Sequence, residues 1–419
     1  SLAGDSLYSQ DANVAVGYHA LGTSGDGGVD GGRYNTAIGT YAMQVANNSS
    51  ADECVAMGYA ALKDAITVQG LVGIGSYAGN AATGAIGLTA VGWSALKANT
   101  DGLYNTAVGY EALLTNVDGD KNTAVGYQAL KTMEPSAGNS LNTAVGYLAG
   151  TAVTTGEDNI LIGGNAGVAL TTGGDNVVVG TGAMSAADTD ESRCVAIGKN
   201  ALSAMDNGST ENVYNVAIGY NAGVAITSGT NNTLMGASVA DAMTVGTRNV
   251  AMGLGSLGSA VEDSRNVAIG YLALNAANGG GTDGSPTATN NTCVGYAAGD
   301  SISTGQQNTG LGADVAFDID ANNQTCIGYQ ATTSASNAVK IGNGSVSAAN
   351  IQVDWTIDSD IRIKKEIVNN TLGLSFINSL KPKKYKKLHP ADWDIAIREK
   401  RYENDSRDYF DDEKIWDGL

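Results

Sequence analysis

The amino-acid sequence predicts an all-β fold, a parallel β-roll or β-helix solenoid, followed by a small α+β segment at the C-terminus. Three observations support this prediction. A short phrase recurs at a nearly fixed spacing, every copy contains a glycine at the same place, and the composition changes abruptly after Val353. Because repeats this short are stable only when stacked on their neighbours, the repeat itself determines the fold class.

The recurring phrase is Asn-Thr-Ala-Val-Gly-Tyr-x-Ala-Leu, which begins at Asn105, at Asn122 and, with Gly in the last place, at Asn142. It occurs in 18 copies, and ten of the 17 intervals between copies are 17 residues long. The remaining copies begin at Asn13, Asn35, Cys54, Leu71, Leu88, Asn159, Asn176, Cys194, Asn215, Asn232, Asn249, Asn266, Asn291, Asn308 and Gln324. The pattern predicts about 18 coils within residues 1–345. At ~4.8 Å per coil they would form a shaft ~85 Å long.

Each copy is numbered here from its Asn, which is position 0. Position 4 is Gly in all 18 copies, and position 3 is always Val, Ile, Leu or Met. Position 1 is mostly Thr or Val, and position 2 is mostly a small residue. This pattern predicts a short strand and a turn, with positions 1 and 3 on one face and position 2 on the other. Both faces are apolar or small, as in strands that are buried on both sides. A single solenoid would leave one face in water, so we expect several chains to associate around a common axis.

Two further positions predict close packing within the solenoid. Thirteen of the 18 residues at position 0 are Asn, and their stacked amides are expected to form a hydrogen-bond ladder along the shaft. Position 7 is Ala in 15 of 18 copies, which indicates a second packed stretch after the turn. Longer intervals follow Asn13, Asn122, Cys194 and Asn266. They predict surface loops, the segments that most often contain binding residues.

Composition excludes several classes of function. Residues 1–353 contain 10 Lys and Arg against 28 Asp and Glu, a net charge of −18, whereas residues 354–419 contain 13 against 14, a net charge of −1. The acidic part argues against nucleic-acid binding, which needs basic side chains for phosphates. No run of 18 apolar residues is present, so no membrane insertion is predicted. The acidic surface favours a soluble particle.

No cofactor or metal site is predicted. The four cysteines fall in register with the repeat, and each is explained as a small residue at a packed position rather than as part of a disulfide framework. Gly-Leu-Gly-Ser-Leu-Gly at 253–258 matches a dinucleotide fingerprint, but it too is in register with the repeat and has no βαβ context. The Asp- and Gly-rich returns are better explained as solvated turns than as calcium sites. Only two histidines are present, which argues against multi-His metal sites and a Ser-His-Asp triad.

The repeat resembles a known family. Asn-Val-Ala-Ile-Gly at Asn215–Gly219 and at Asn266–Gly270 is similar to the head repeats of trimeric bacterial adhesins and of many phage tail fibres. The resemblance extends over roughly residues 10–345. It implies a parallel β-roll or β-helix in which three identical chains associate in parallel, and therefore a homotrimer.

The C-terminal segment resembles a second family. It reads Ser-Asp-Ile-Arg-Ile-Lys at 359–364 and Leu-Lys-Pro-Lys-Lys-Tyr at 380–385, and a helix is expected around Leu372–Leu380. This is similar to the start of the endosialidase-type intramolecular chaperone domain (peptidase S74 type) of phage tail spikes and fibres, with Ile363 in place of the usual Leu. The resemblance implies a linker at 346–358 and the N-terminal part of the chaperone at 359–419. By the same resemblance, Ser359 is the nucleophile of a self-cleavage and Lys364 the base that activates it.

Together the two resemblances imply a structural, trimeric tail-fibre protein of a bacteriophage, located in the virion tail and directed into trimers by its chaperone. Its expected partners are a host-surface receptor, either a glycan or an outer-membrane protein, and other tail proteins. No enzymatic activity is expected beyond the Ser-Lys self-cleavage. Two alternatives remain open: a trimeric adhesin of the bacterial cell surface, and a tail spike that degrades polysaccharide.

Overall fold

The computed structural model describes residues 12–22, 32–45, 51–134, 138–188, 191–206, 208, 212–277 and 288–348. These residues form strands and turns only, and none of their segments is a helix that could cross a membrane. The predicted α+β segment, the linker beyond residue 348 and the helix near Leu372 lie outside the described residues. The strands are β1 Val14–Val16, β2 Thr36–Ile38, β3 Val55–Met57, β4 Val72–Ile74, β5 Thr89–Val91, β6 Thr106–Val108, β7 Gly119–Asp120, β8 Thr123–Val125, β9 Gly138–Asn139, β10 Thr143–Val145, β11 Ile160–Ile162, β12 Val177–Val179, β13 Val195–Ile197, β14 Val216–Ile218, β15 Thr233–Met235, β16 Val250–Met252, β17 Val267–Ile269, β18 Thr292–Val294, β19 Thr309–Leu311, β20 Thr325–Ile327 and β21 Val339–Ile341.

Nineteen of these strands form one parallel sheet, in which each strand pairs with the strands of the preceding and following coils. The pairing joins equivalent positions, for example Thr106 with Thr123 and Val108 with Val125. The predicted parallel β-solenoid is therefore confirmed, and positions 1 to 3 of every copy are its strand. A small two-stranded sheet, β7 with β9, joins the return segments of two neighbouring coils.

The sheet contains one strand more than the sequence predicted. β21 pairs in register with β20, so that Val339 lies beside Thr325 and Ile341 beside Ile327. The extra coil was missed because Ala338 stands at the Asn position and Lys340 at the small-residue position. All three β21 residues are exposed, and no further strand of the described residues covers them.

Small side chains fill the interior of each coil. The residues at positions 2 and 7 are buried along the sheet, as Ala107 and Ala112 are in the coil that begins at Asn105. Position 8 contributes the larger apolar groups, among them the fully buried Leu113 and Leu130. Because alanine dominates two of these three inward positions, strand and return approach closely and the core extends along the solenoid as one continuous cluster.

The asparagines at position 0 form the predicted ladder, with backbone groups as most of their partners. The side-chain oxygen of Asn215 accepts the backbone N–H of Asn232 at 2.9 Å, and that of Asn232 accepts the N–H of Asn249 at 3.0 Å. The side-chain nitrogen of Asn232 donates to the carbonyl of Gly246, in the return segment, at 2.8 Å. Asn232 therefore joins its own coil to the next strand and to the next return within the core. Among the described residues Asn122 is an exception, because its buried side-chain nitrogen has no hydrogen-bond partner.

Glycine is required at position 4 because successive coils touch there. Gly163 has φ +132°, and a Cβ added to it would lie 2.7 Å from the carbonyl carbon of Gly180 in the next coil. No side chain fits within that distance, and L-residues rarely adopt that φ. The same contact recurs in most coils, which explains the glycine in all 18 copies.

Three positions per coil adopt the left-handed conformation, although most of their residues are not glycine. Position −1 has φ between 51° and 66° in all 18 coils, and position 6 has φ between 46° and 69°. Position 8 shares this conformation in 16 coils, including the buried Leu113 at φ 50°. Hydrogen bonds between coils stabilise the conformation: Glu111 N–H donates to the carbonyl of Trp93 and Leu113 N–H to that of Ala129. The hydrogen bonds between stacked coils therefore offset the energetic cost of the left-handed conformation, which is unfavourable for each residue alone.

Candidate assembly surface

The side chains at positions 1 and 3 form an apolar surface on the outside of the sheet, here called the strand face. Positions 1 and 3 share one face and position 2 lies on the other, as the sequence predicted. The structure shows that position 2 points into the core and that the side chains at positions 1 and 3 point outward. Ile38 is 36% exposed, Met235 42% and Leu311 52%. In the chain alone this face contacts water, although its residues are Val, Ile, Leu, Met and Thr.

The strand face contains no charged side chain at either position in any of the 18 coils. The first 353 residues nevertheless contain 38 charged residues and a net charge of −18. The longer intervals all occur in the return segments, so nothing is inserted into the face. An exposed apolar surface that is uncharged, uninterrupted and as long as the sheet is typical of a surface that another protein covers.

Aromatic side chains border the strand face at position 5. Trp93, Tyr110, Tyr127 and Tyr147 occupy this position in four consecutive coils, and their rings stack with centroids 4.9, 5.2 and 5.3 Å apart. The rings are nearly parallel, with interplanar angles of 9° to 13°. Because stacked rings cover each other's faces, the ladder presents ring edges and hydroxyl groups rather than the open faces on which sugars stack.

The two site residues predicted from the sequence, Ser359 and Lys364, lie outside the described residues. The structure therefore gives no distance between them and no account of their surroundings.

The cysteines lie where the repeat pattern placed them. All four are free and buried. Burial raises the pKa of the Cys54 thiol to about 11 and the pKa values of the Cys194 and Cys293 thiols to about 12. Since the thiolate is the nucleophile, these groups are unreactive at neutral pH and act as small packed residues.

The dinucleotide-like phrase at 253–258 is part of an ordinary coil. Gly253 is the position-4 glycine after β16, and its carbonyl accepts the N–H of Ser256 at 3.4 Å within the turn. No helix follows the phrase in the part of the chain that the structure describes, so the N–H groups that would bind a pyrophosphate are not assembled.

One group of carboxylates in the return segments could hold a cation. Asp188, Glu191 and Asp206 each offer an oxygen atom, and these atoms lie within 4.8 Å of one another. Asp188 and Asp206 are exposed and Glu191 is buried. Exposed acidic groups commonly lie together without a metal.

Comparison with known proteins identifies no family for this chain. No protein-family model matches the chain, and no curated protein matches it.

Proposed function

We propose that this chain is a shaft of a homotrimeric, parallel β-solenoid fibre, which serves as a bacteriophage tail fibre in host-surface attachment. The observation that carries the proposal is the uncharged strand face of a strongly acidic chain. Three such faces turned toward a common axis would remove from water the side chains that one solenoid leaves exposed. The long return segments would then lie on the outside of the fibre, where a receptor can reach them.

The size of the strand face supports self-association. A sheet of 19 strands at ~4.8 Å spacing, with a strand segment of about five residues at ~3.3 Å each, presents on the order of 1,400 Å². Stable complexes bury about 800 Å² per partner. Shared between two neighbouring chains, the face gives each contact ~700 Å², close to that value.

The remaining parts of the proposal rest on the sequence resemblance. The segment 359–419 would be the N-terminal part of a chaperone that associates first and sets the register of the three chains. A chaperone of this kind would be useful because the pairing of strands that are distant in sequence is slow and prone to slip out of register. Ser359 would be the nucleophile and Lys364 the base of self-cleavage before Ser359. The fibre would belong to the virion tail, with a glycan or an outer-membrane protein of the host as receptor.

Light scattering during size-exclusion chromatography tests the assembly. The wild-type chain is expected to elute with three times the mass of one chain, and Met235→Glu, in the strand face, to shift the population to monomers because three carboxylates would be buried without partners. Ser228→Glu, in the preceding return segment, is the matched control and should remain a trimer. Wild type that elutes as a monomer at micromolar concentration would contradict the proposal.

Self-cleavage is tested separately by gel electrophoresis of wild type and Ser359→Ala. Shortening of wild type to the mass of residues 1–358, with Ser359→Ala remaining at full length, is expected. Equal shortening in both proteins would exclude Ser359 as the nucleophile and would leave the fibre proposal intact.

A further inference from the structure

The stacked aromatic ladder ends abruptly at Tyr147. This ring stacks on Tyr127 of the preceding coil, but the next coil has Gly164 at position 5. A Cβ added to Gly164 would have one neighbour within 4 Å, Thr181 Cγ2 at 4.0 Å, so the space beside the ring is open. Tyr147 is 57% exposed, whereas Tyr110 and Tyr127, each stacked between two rings, are 42% exposed. Tyr147 therefore presents an open ring face to solvent.

The next aromatic residue at position 5 is Tyr220, four coils further along the solenoid. It is 53% exposed, and among the described residues no other ring stacks on it. Four coil spacings of ~4.8 Å separate the two tyrosines by ~19 Å, long enough for a ligand of several rings. The residues at positions 5 and 6 of the three coils between them are here called the ladder gap, and they are Gly164, Asn165, Thr181, Gly182, Lys199 and Asn200.

Side-chain amides line the ladder gap. Asn200 donates from its side-chain nitrogen to the side-chain oxygen of Asn221 at 3.1 Å. The side-chain oxygen of Asn200 would lie 2.9 Å from a Cβ added to Gly182, so the glycine leaves room for this amide. The side-chain oxygen of Asn165 has no hydrogen-bond partner among the described residues. The gap therefore offers amide groups that can donate to and accept from hydroxyl groups.

Lys199 is the one charged residue at positions 5, 6 and 9 of the five coils that begin at Asn142 through Asn215. These positions belong to one surface, because in earlier coils Glu111 at position 6 pairs with Lys131 at position 9, with 2.7 Å between oxygen and nitrogen. Lys199 is exposed and belongs to none of the three ion pairs of the described residues. On a chain whose first 353 residues have a net charge of −18, the ladder gap is therefore a locally basic surface.

We propose that the ladder gap binds a short acidic oligosaccharide of the host surface. One sugar ring would stack on the open face of Tyr147, and its hydroxyl groups would bond to the amides of Asn165 and Asn200. A carboxylate on a following sugar would pair with Lys199. The inference rests on the proposed attachment function and deepens it by naming the receptor class and the site.

The residues of the ladder gap favour a carbohydrate over a protein partner. Sugar rings have apolar C–H faces and polar hydroxyl edges, so they need an aromatic face beside amide groups. Protein interfaces instead depend on large apolar or aromatic anchors packed into pockets. The gap contains no Val, Ile, Leu, Met or aromatic residue.

Binding to an array of short oligosaccharides tests the proposal. The array contains oligosaccharides with uronic or sialic acid residues and, for each one, the counterpart whose carboxyl groups have been reduced to alcohols. The wild-type chain is expected to bind at least one acidic member, and reduction of its carboxyl groups should weaken binding at least about fivefold. Binding of neither set, or equal binding of both, would overturn the proposal.

Three variants locate the site on the chain. Gly164→Tyr extends the ladder over the open face of Tyr147, at a position where other coils have Tyr, and should abolish binding. Tyr147→Ala should weaken binding about three- to tenfold, because the stacking ring is removed. Lys199→Gln should weaken it about fivefold at low salt and much less at high salt. Tyr104→Ala, which removes a 55% exposed tyrosine from the other side of a strand, is the matched control and should bind as wild type does.

Light scattering on the same samples separates this inference from the fibre proposal. The variants are expected to keep the mass of the wild-type assembly, so that a loss of binding reports on the site. A trimer in which Gly164→Tyr and Tyr147→Ala bind as wild type does would overturn the site and leave the fibre in place. A monomeric wild type that binds an acidic oligosaccharide, and loses it in Gly164→Tyr, would uphold the site and contradict the fibre.

Discussion

Each coil consists of a strand segment and a return segment, and the two differ in how strictly they repeat. The strand segment keeps its length and its glycine in all 18 copies, whereas the whole interval ranges from 16 to 25 residues because the return segments differ. The strand segment contains the position-4 contact and the Asn ladder, both of which join one coil to the next. Every residue there has a neighbour in the adjacent coil that restricts it.

The return segments are less restricted because only part of each one is stacked. Their last residues supply the carbonyl groups that accept the Asn side chains, as Gly246 and Asp263 do. Between position 8 and these carbonyls one further residue is buried, at position 11, as Met133 and Leu170 are. The remaining residues of that stretch are partly or fully exposed, so they tolerate charge and insertion. The difference shows that the sequence repeats strictly where one coil contacts the next. The strand face is therefore suited to assembly, and the return segments are suited to variation.

The largest effect is expected from the glycine contact. Gly163→Ala would place a Cβ 2.7 Å from the backbone of the next coil at a φ of +132°, so it should destabilise the solenoid by about 3–5 kcal/mol. Gly164→Ala is the matched control, because its nearest neighbour would be Thr181 Cγ2 at 4.0 Å, and a change below about 0.5 kcal/mol is expected. Thermal unfolding and hydrogen exchange of the neighbouring coils measure both. Equal effects of the two variants would show that coil contact does not explain position 4.

A smaller effect is expected from the Asn ladder. Asn232→Ala removes the acceptor of the Asn249 N–H and the donor to the Gly246 carbonyl, both in the core. Leaving these buried groups without partners should destabilise the chain by about 2–4 kcal/mol.

The neighbouring Asn231→Gly is the control for that variant. Asn231 is exposed, its side chain donates to the hydroxyl of Thr230, and glycine keeps its left-handed backbone free of strain. Its effect should be within about 1 kcal/mol. If chemical denaturation gave the two variants the same midpoint, the ladder would contribute nothing to stability.

The sequence was sufficient to predict the solenoid, its parallel register, the separation of position 2 from positions 1 and 3 onto opposite faces, and the buried cysteines, because each depends on a residue type that recurs at fixed spacing. It could not predict the left-handed residues at positions −1, 6 and 8. Leucine and glutamate, as at Leu113 and Glu111, rarely adopt φ near +50°. That conformation is imposed by hydrogen bonds between coils and leaves no compositional signal.

The candidate surface was predictable in part. The alternation of apolar positions indicated that one face would be left in water, and the structure shows which one. The residues Ser359 and Lys364 remain a prediction from resemblance.

The smallest effect concerns the ion pair between Glu111 and Lys131 across neighbouring coils, with 2.7 Å between the carboxylate oxygen and Nζ. The hydrogen bond from Lys131 holds the pKa of Glu111 below its usual value. A lowered carboxyl pKa stabilises the folded chain above the ordinary pKa, and the stabilisation is lost as the pH falls through the lowered value. Glu111→Gln should therefore destabilise the chain by only about 0.5 kcal/mol at pH 7, and the difference from wild type should disappear in acid. Unfolding midpoints from pH 7 to pH 3 test this, with Glu134→Gln, an exposed return-segment residue, as the control expected to match wild type at pH 7. A difference for Glu111→Gln that did not shrink as the pH fell would indicate that packing of the side chain, rather than its charge, joins these two coils.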